Sequence, residues 1–306
     1  MMVWRRVAFA LLLLGSGLAA QPSARAADMV TIGTVGSASS NIWPVFIGQK
    51  KGFFEAENIK LDVVYVQSSA NLVQQLAAGS LDITMSTGLV DPIRAIEKGA
   101  PLALIRLEVQ APPYSLIGKP GMKSIAELKG KMISVGGAKD ITRIFVERML
   151  EPNGVKPGEF DMTFAGATSA RFSALQAGAV DAAILTPPFN FHAQSAGFSL
   201  LGNTVDYVDM PFAGISVNTN WAANNKATVR KVIDVYTKSM AWLYDPANRD
   251  EAVQILMKVS KIKQADVELA YDFLIKGKYL EATGKISRSK LGKLVDALKA
   301  LGDIPQ

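Results

Sequence analysis

Small polar residues recur in this chain of 306 residues at the points where short apolar segments end. Hydroxyl groups, amide side chains and the backbone N–H groups of a helix N-terminus can bind an oxyanion without a buried countercharge. Any one such residue could instead serve only as a helix cap or a turn residue. Together the positions favour a polar ligand-binding cleft, and they are Ser37, Ser39, Ser40 and Asn41; Ser68 and Ser69; Ser86 and Thr87; Gly136 and Gly137; Thr168 and Ser169; and Thr186.

Two cations stand beside predicted strand ends in the second half of the chain, Lys139 and Arg171. Either could neutralise an anionic ligand, although a solvated side chain is the alternative and Lys139 could simply pair with Asp140. Trp43 follows the first polar cluster, so it could stack on a ligand or anchor the core. The candidate ligand-binding residues are therefore Ser39, Ser40, Asn41, Trp43, Ser68, Ser69, Ser86, Thr87, Gly137, Lys139, Thr168, Arg171 and Thr186.

The residue types that nucleophilic and metal-dependent catalysis need are scarce. The chain has no cysteine and one histidine, His192, whereas catalytic triads and metal sites need several partner residues. Gly136-Gly137 is too short to be a dinucleotide-binding or phosphate-loop motif. We therefore predict no catalytic residue, no metal and no cofactor, and a structural or surface role for His192.

Four further residues have side chains that could take part in a site. Asp82 and Asp181 resemble a carboxylate pair, but each stands just before a predicted strand, far from the predicted cleft. We interpret both as structural turn residues. Phe189 and Phe191 follow the last polar position, and we predict that they pack in the core, with lining of the cleft as the alternative.

A repeated pattern organises the elements that carry these residues. Residues 71–88 (NLVQQLAAGSLDITMSTG) and 171–188 (RFSALQAGAVDAAILTPP) each predict a helix, a glycine turn and a short buried strand. At a fixed offset of 99 residues, Leu76, Ala78, Gly79, Asp82 and Thr87 match Leu175, Ala177, Gly178, Asp181 and Thr186. We infer two lobes built to one plan.

Strand and helix patterns alternate along most of the chain. Met29–Val35 predicts the first strand, a single helix is expected from about residue 42 to residue 58, and the pattern after Trp221 is nearly all helical. Such alternation predicts an α/β fold with mixed, mostly parallel sheets and helices on both faces. Tyr114–Ile117 and Ala213–Val217 are the two segments predicted to cross between lobes.

The N-terminus is typical of a secretory signal peptide. Arg5 and Arg6 precede an apolar run from Val7 to Leu14, and Ala24-Arg25-Ala26 provides small residues before a cleavage site. We predict a signal peptide at residues 1–26, a lobe I of residues 27–112 and 214–306, and a lobe II of residues 113–213. Removing the signal peptide leaves 30 basic and 27 acidic residues, a balance too mild to indicate nucleic-acid binding.

From about residue 36 to residue 306 the chain resembles the periplasmic solute-binding proteins of nitrate/taurine-type ABC transporters, which include alkanesulfonate and thiamine-precursor binding proteins. The order of five motifs carries the resemblance: WPVFIGQKKGFFEAENIKLDVVYV, LVQQLAAGSLDITMSTG, PPYSLI, IAELKGKMISVGG and RFSALQAGAVDAAILTPP. It implies a two-lobed type II periplasmic-binding fold that clamps a small molecule, a location in the periplasm, a monomer, and an inner-membrane permease with its ATPase as partners.

Two other functions remain as alternatives. Enzymes of pyrimidine and menaquinone-precursor synthesis share this fold, but the pyrimidine synthases use histidine and cysteine residues that this chain lacks. A transcription regulator would need a DNA-binding domain where this chain has a predicted signal peptide. Within the binding-protein class the ligand could be a nitrate-like ion, a sulfonate, a pyrimidine or an aromatic carboxylate. Arg171 and Lys139 favour an organic anion, a sulfonate or carboxylate.

Overall fold

The computed structural model describes residues 26–300 and 302–304. The predicted signal peptide lies outside these residues except for Ala26. Among the described helices, none combines the length and the apolar character that crossing a membrane would require.

Within the residues that the structure describes, ten strands form two five-stranded sheets. The first sheet contains β1 (Asp28–Val35), β2 (Ile59–Val66), β3 (Ile83–Gly88), β4 (Leu102–Val109) and β10 (Ala213–Asn218). The second contains β5 (Ser115–Gly118), β6 (Met132–Val135), β7 (Asp161–Phe164), β8 (Ala182–Leu185) and β9 (Ser199–Asn203).

The two sheets have the same topology. Their strand orders are β2-β1-β3-β10-β4 and β7-β6-β8-β5-β9. In each sheet four strands run in one direction, and the fourth strand in the order is antiparallel to both of its neighbours. The reversed strands β5 and β10 are the first strands after each passage of the chain from one sheet to the other. The predicted mixed, mostly parallel α/β fold with two similar halves is confirmed.

Helices cover both sheets. They are α1 (Trp43–Lys50), α2 (Phe53–Ala56), α3 (Ser69–Ala77), α4 (Val90–Glu97), α5 (Ile141–Leu150), α6 (Thr168–Gln176), α7 (Phe189–Ser195), α8 (Thr219–Asn224), α9 (Lys226–Tyr244), α10 (Arg249–Ser260), α11 (Gln264–Lys276) and α12 (Arg288–Ala300). Helix α1 packs on α9 and α10, and α3 and α4 lie on the first sheet; α6 and α7 lie on the second.

The sequence repeat is a structural repeat. Helix α3 moved by 99 residues coincides with α6, and β3 moved by the same offset begins where β8 begins. The side chains that α3 and α6 bury follow the same offset: Val73 and Leu76 correspond to Phe172 and Leu175. In each copy the helix therefore packs against its strand through the same helix face.

The two aspartates of the repeat have the same structural role, as predicted. Asp82 Oδ2 accepts the backbone N–H of Thr31 at 2.8 Å, and Asp181 Oδ2 accepts that of Met132 at 3.0 Å. Each carboxylate thus tethers the strand beside its own. A lysine, Lys119, also forms an ion pair with Asp181.

Three elements differ from the sequence prediction. The single helix expected over residues 42–58 is two helices, because Gly52 between them takes a φ of +69° that ends α1. Strand β9 and helix α8 were not predicted. Both are short, and neither has the periodicity that longer elements show.

Candidate ligand-binding site

A cavity lies between the two sheets, at the carboxyl ends of strands from both. In open α/β sheets this is the edge at which loops and helix N-termini meet. Loops after β1, β2, β6, β7 and β8 all contribute to its walls. Eight of the thirteen candidate residues line it: Ser39, Asn41, Ser68, Ser69, Ser86, Thr168, Arg171 and Thr186.

The two halves touch around the cavity. The Ser40 N–H, which precedes α1, donates to the carbonyl of Pro187 after β8 at 3.1 Å. Gly166, after β7, has a φ of +69°. A Cβ at this position would lie 2.2 Å from the Gln67 carbonyl oxygen, so this approach of the two halves requires glycine. The two halves are therefore in direct contact beside the cavity.

Arg171 is the principal cation of the cavity wall, and it is buried, with 3% of its surface exposed. Its Nε donates to the Ile184 carbonyl at 2.7 Å, and its Nη1 donates to the Gly166 carbonyl. No carboxylate among the residues that the structure describes forms an ion pair with it. A buried charge held only by neutral acceptors remains incompletely compensated, so this site favours an anion.

An aromatic group lies beside the guanidinium. The Tyr114 ring centroid is 5.8 Å from the Arg171 Cζ atom, and Phe212 packs edge-on against Tyr114 at 5.1 Å. Burial raises the pKa of the Tyr114 hydroxyl, the nearby Arg171 opposes that rise, and the Asp140 carboxylate adds to it. The Tyr114 hydroxyl is therefore a neutral hydrogen-bonding group at physiological pH.

Several buried polar atoms of the cavity wall have no hydrogen-bond partner among the described residues. They include Asn41 Oδ1, Ser86 Oγ and Thr186 Oγ1. Buried polar groups in proteins are nearly always hydrogen-bonded to protein, ligand or water. The Ser86 and Thr186 hydroxyls can donate to an oxyanion group of a ligand beside Arg171, whereas Asn41 Oδ1 can only accept a hydrogen bond from a donor on the ligand.

Several predicted residues accept a backbone N–H at a turn or helix start and also line the cavity. Ser39 Oγ accepts the Asn41 N–H at 3.4 Å, and Ser68 Oγ accepts the Asn71 N–H at the start of α3 at 3.2 Å. Thr168 Oγ1 accepts the Thr186 N–H at 3.1 Å. The two interpretations left open for these residues are therefore compatible.

Five candidate residues lie outside the cavity wall. Trp43 is 1% exposed and belongs to the core. Thr87 is fully buried, because alternate residues of a strand face opposite sides and its neighbours Ser86 and Gly88 face the cavity. The others are Ser40, which is buried, Gly137, whose carbonyl accepts the Asp140 N–H at 3.1 Å, and the exposed Lys139.

The apolar part of the wall was largely missed from sequence. Phe212 and Ile141 line the cavity together with Tyr114; Phe212 comes from a loop and Ile141 from a helix start, and neither carries a polar signal. Phe189 also lines it while packing on Phe172 at 6.0 Å, so both of its predicted roles apply. Phe191 instead packs on Phe273 at 5.6 Å.

The enclosed space is small. About 50 Å³ is open to the centres of water molecules, and one water needs roughly 10–15 Å³ on this measure. A ligand of more than a few heavy atoms would hold the two halves slightly further apart than they stand in this structure.

His192 lies outside the cavity wall, with Nδ1 2.9 Å from Oδ2 of Asp266. Among the residues that the structure describes, no cluster of three or more histidines, aspartates or glutamates could hold a metal ion. His192 therefore has a structural contact, as the sequence predicted.

Solved structures share this fold. The alkanesulfonate-binding protein SsuA of Xanthomonas axonopodis pv. citri, bound to MOPS, superposes with a TM-score of 0.75 at 20% identity, over 91% of this chain and 94% of that one. The periplasmic nitrate-binding protein NrtA of Synechocystis PCC 6803 gives 0.66 at 14% identity, over 78% and 69%. The desulfurization enzyme DSZB gives 0.66 at 12% identity, over 91% and 94%.

Sequence comparison gives the family. A putative thiamine biosynthesis protein of Haemophilus influenzae is 29% identical over 102 residues, 31% of this chain and 32% of that protein, so the match spans about a third of that relative. The family model described as "NMT1/THI5 like" matches residues 39–249, more than two thirds of the chain. This chain belongs to the NMT1/THI5-like family.

Proposed function

We propose that this protein is the periplasmic substrate-binding component of an ABC importer and that it captures a small organic anion of the sulfonate or carboxylate type. One observation carries the ligand class: the buried Arg171 guanidinium faces the cavity without a carboxylate partner among the described residues. An anionic group placed there would complete its compensation and could accept hydrogen bonds from the Ser86 and Thr186 hydroxyls.

The proposed mechanism is closure of two lobes on the ligand. Lobe I comprises residues 27–112 and 214–306, and lobe II comprises residues 113–213. Contacts such as that between Ser40 and Pro187 belong to the closed state. A ligand that touches both lobes favours closure through its differential contacts. The closed monomer would then deliver the ligand to an inner-membrane permease and its ATPase, without any role for nucleic acid.

An enzymatic function on the same fold is the alternative, because DSZB shares the architecture. The cavity wall has no histidine, and the chain has no cysteine. Of the titratable side chains in that wall, Asp140 is engaged with Thr142. We therefore propose binding without turnover.

The direct experiment is to purify the protein under native conditions and identify retained molecules by mass spectrometry. In parallel, thermal unfolding is followed with methanesulfonate, taurine, MOPS, benzoate, nitrate and uracil, each at a series of concentrations. We expect an organic anion to raise the melting temperature in proportion to the logarithm of its concentration and to be recovered unchanged. Stabilisation by uracil alone would contradict the anion proposal, and a recovered reaction product would support an enzyme.

A further inference from the structure

Glu108 lies directly behind the cavity wall. It is on β4 and is fully buried, and its Oε2 atom accepts the backbone N–H of Ser86 at 2.5 Å. Ser86, on β3, lines the cavity and is 8% exposed, and its hydroxyl has no partner among the described residues. The bond crosses β10, which lies between the two strands.

An irregularity in the sheet explains why the Ser86 N–H is free to make this bond. Gly214 of β10 pairs with Thr87, and Ser216 pairs with Thr84. Two residues of β3, Met85 and Ser86, therefore stand opposite the single residue Ile215. This is a β-bulge, in which the extra residue leaves the ladder and its side chain is redirected.

A second irregularity, on β4, positions Glu108, which accepts this hydrogen bond. The β10 residues Ala213 and Gly214 are adjacent, but their partners on β4 are Val109 and Leu107. Glu108 is thus the extra residue on its own strand. The two bulges flank the same part of β10, and the Glu108 side chain connects them.

Ser86 adopts a backbone conformation that needs support. Its φ is +58°, in the left-handed region that residues other than glycine rarely adopt. Such a residue persists only where its surroundings hold it there. The Glu108 carboxyl supplies a hydrogen bond that depends on this orientation of the Ser86 N–H.

Charged and titratable groups face Glu108 from two elements. Arg106, on the same strand, is buried; it donates to the carbonyls of Glu281 and Ala282 and lies 5.2 Å from the Tyr236 ring. The Tyr236 hydroxyl, on α9, faces the carboxyl. Burial raises the pKa of Glu108 to about 7, and the Ser86 N–H, Tyr236 and Arg106 each oppose that rise.

We propose that Glu108 is a positioning residue for ligand binding: by accepting the Ser86 N–H it holds the bulge of β3 and fixes where the Ser86 hydroxyl stands in the cavity. Glu108 does not touch the ligand in this scheme. The expected effect on ligand affinity rests on the proposed binding function, but the hydrogen bond between Glu108 and the Ser86 N–H can be measured without any ligand.

The first measurement uses free protein labelled with ¹⁵N-serine. We expect the Ser86 amide resonance to titrate near pH 7 in the wild type and to lose this titration in Glu108→Gln, whose side-chain oxygen still accepts the bond. In Glu108→Leu the amide should exchange with solvent at least about tenfold faster, because its partner is gone. A Ser86 amide that responds to neither substitution would overturn the proposal.

The second measurement is the dissociation constant for MOPS by calorimetry. Glu108→Leu should weaken MOPS binding about tenfold, and Glu108→Gln by less than about threefold. In a Ser86→Gly background, Glu108→Leu should change the constant by less than about twofold, because glycine adopts the left-handed conformation unaided and has no hydroxyl. Equal effects in both backgrounds would assign Glu108 a purely structural role and contradict the proposal.

A matched control is Asp82→Asn. Asp82 also accepts a strand N–H, that of Thr31, but it lies outside the cavity wall. It should leave the MOPS dissociation constant within about twofold. Were neither MOPS nor any other anion of the screen to bind the wild type, the proposed function would fail, and the Ser86 amide would still decide whether Glu108 positions Ser86.

Discussion

His192 Nδ1 lies 2.9 Å from Oδ2 of Asp266, a contact that joins helix α7 to helix α11. Asp266 is fully buried, and its other oxygen accepts the Ser195 hydroxyl at 2.5 Å. Helix α7 follows β8 of the second sheet, and α11 belongs to the C-terminal helices that follow β10 of the first. The chain's one histidine therefore helps to join its two halves, away from the cavity.

Replacing His192 with alanine should leave ligand affinity within a few-fold. It should lower the free energy of unfolding by about 1–3 kcal/mol, because one hydrogen bond to a buried carboxylate is lost while Ser195 still provides another. Calorimetry with MOPS measures the affinity, and urea denaturation measures the free energy of unfolding. A large loss of affinity would place His192 in the binding site. If the wild type converted a bound ligand and His192→Ala did not, His192 would have a catalytic role.

Arg171→Gln should weaken the binding of an anion about ten- to a hundredfold and that of a neutral ligand little. The loss corresponds to one charge-assisted hydrogen bond, roughly 1.5–3 kcal/mol. Titration with methanesulfonate measures it. The matched control is Arg143→Gln, which removes an exposed arginine paired with Glu147 and should leave the affinity unchanged. Equal affinities of wild type and Arg171→Gln would remove Arg171 from the site.

The repeat explains how much of this fold the sequence could predict. Local signals located α3, α6 and most strands, because a helix, a glycine turn and a buried strand occur together within 18 residues in each copy. The polar side of the cavity followed, because strand ends meet at one edge of a sheet. Fold class and the position of the cleft were therefore accessible from sequence.

The contacts of Glu108 and Ser86 were not accessible in this way. They depend on two bulges, and a bulge changes the register between strands that are distant in the sequence. The exclusion of Thr87 from the cavity wall likewise depends on which face of β3 each residue occupies. Phe212 and Ile141 carry no polar signal, so only the tertiary structure brings them to the wall.

Stability should decrease as the pH rises through neutrality. The pKa of Glu108 is raised from 4.5 to about 7 in the folded state, so between these values the folded protein binds a proton that the unfolded chain has released. This contribution is fully present below about pH 4.5 and is lost as the pH rises through 7, at a cost of roughly 3 kcal/mol. In Glu108→Gln the free energy of unfolding should change less with pH over this range. A wild-type profile parallel to that of Glu108→Gln between pH 5 and 8 would contradict the assignment.

Processing should remove the N-terminal segment. If Ala24-Arg25-Ala26 is the cleavage site, protein recovered from the periplasm should begin at Ala27 or Asp28. Intact-mass measurement decides this. Exported protein that still contains Trp4 would indicate an uncleaved anchor rather than a soluble periplasmic protein.

Ligand binding should close the two lobes, and Arg94 gives a way to test this. Arg94, on α4, donates to the Lys139 carbonyl after β6 and pairs with Asp303 near the C-terminus and with Asp91 at 3.1 Å. It therefore holds the first half of the chain to the second at the edge of the cavity. Arg94→Ala removes these bonds but leaves the cavity wall intact, so it should shift the free protein towards the open state.

Small-angle scattering and thermal unfolding measure the two consequences. With MOPS at about 100 times its dissociation constant, the wild type should contract and gain about 2.7 kcal/mol of stability, a melting shift of several degrees for a chain of this size.

Without ligand, Arg94→Ala should have a larger radius of gyration than the wild type, and with saturating MOPS it should reach the same radius. It should also bind MOPS more weakly, because part of the binding free energy is used to close the lobes. Lys119→Ala, which removes an ion pair within the second half, should behave as the wild type. A radius that does not change with MOPS in either variant would exclude closure as the binding mechanism.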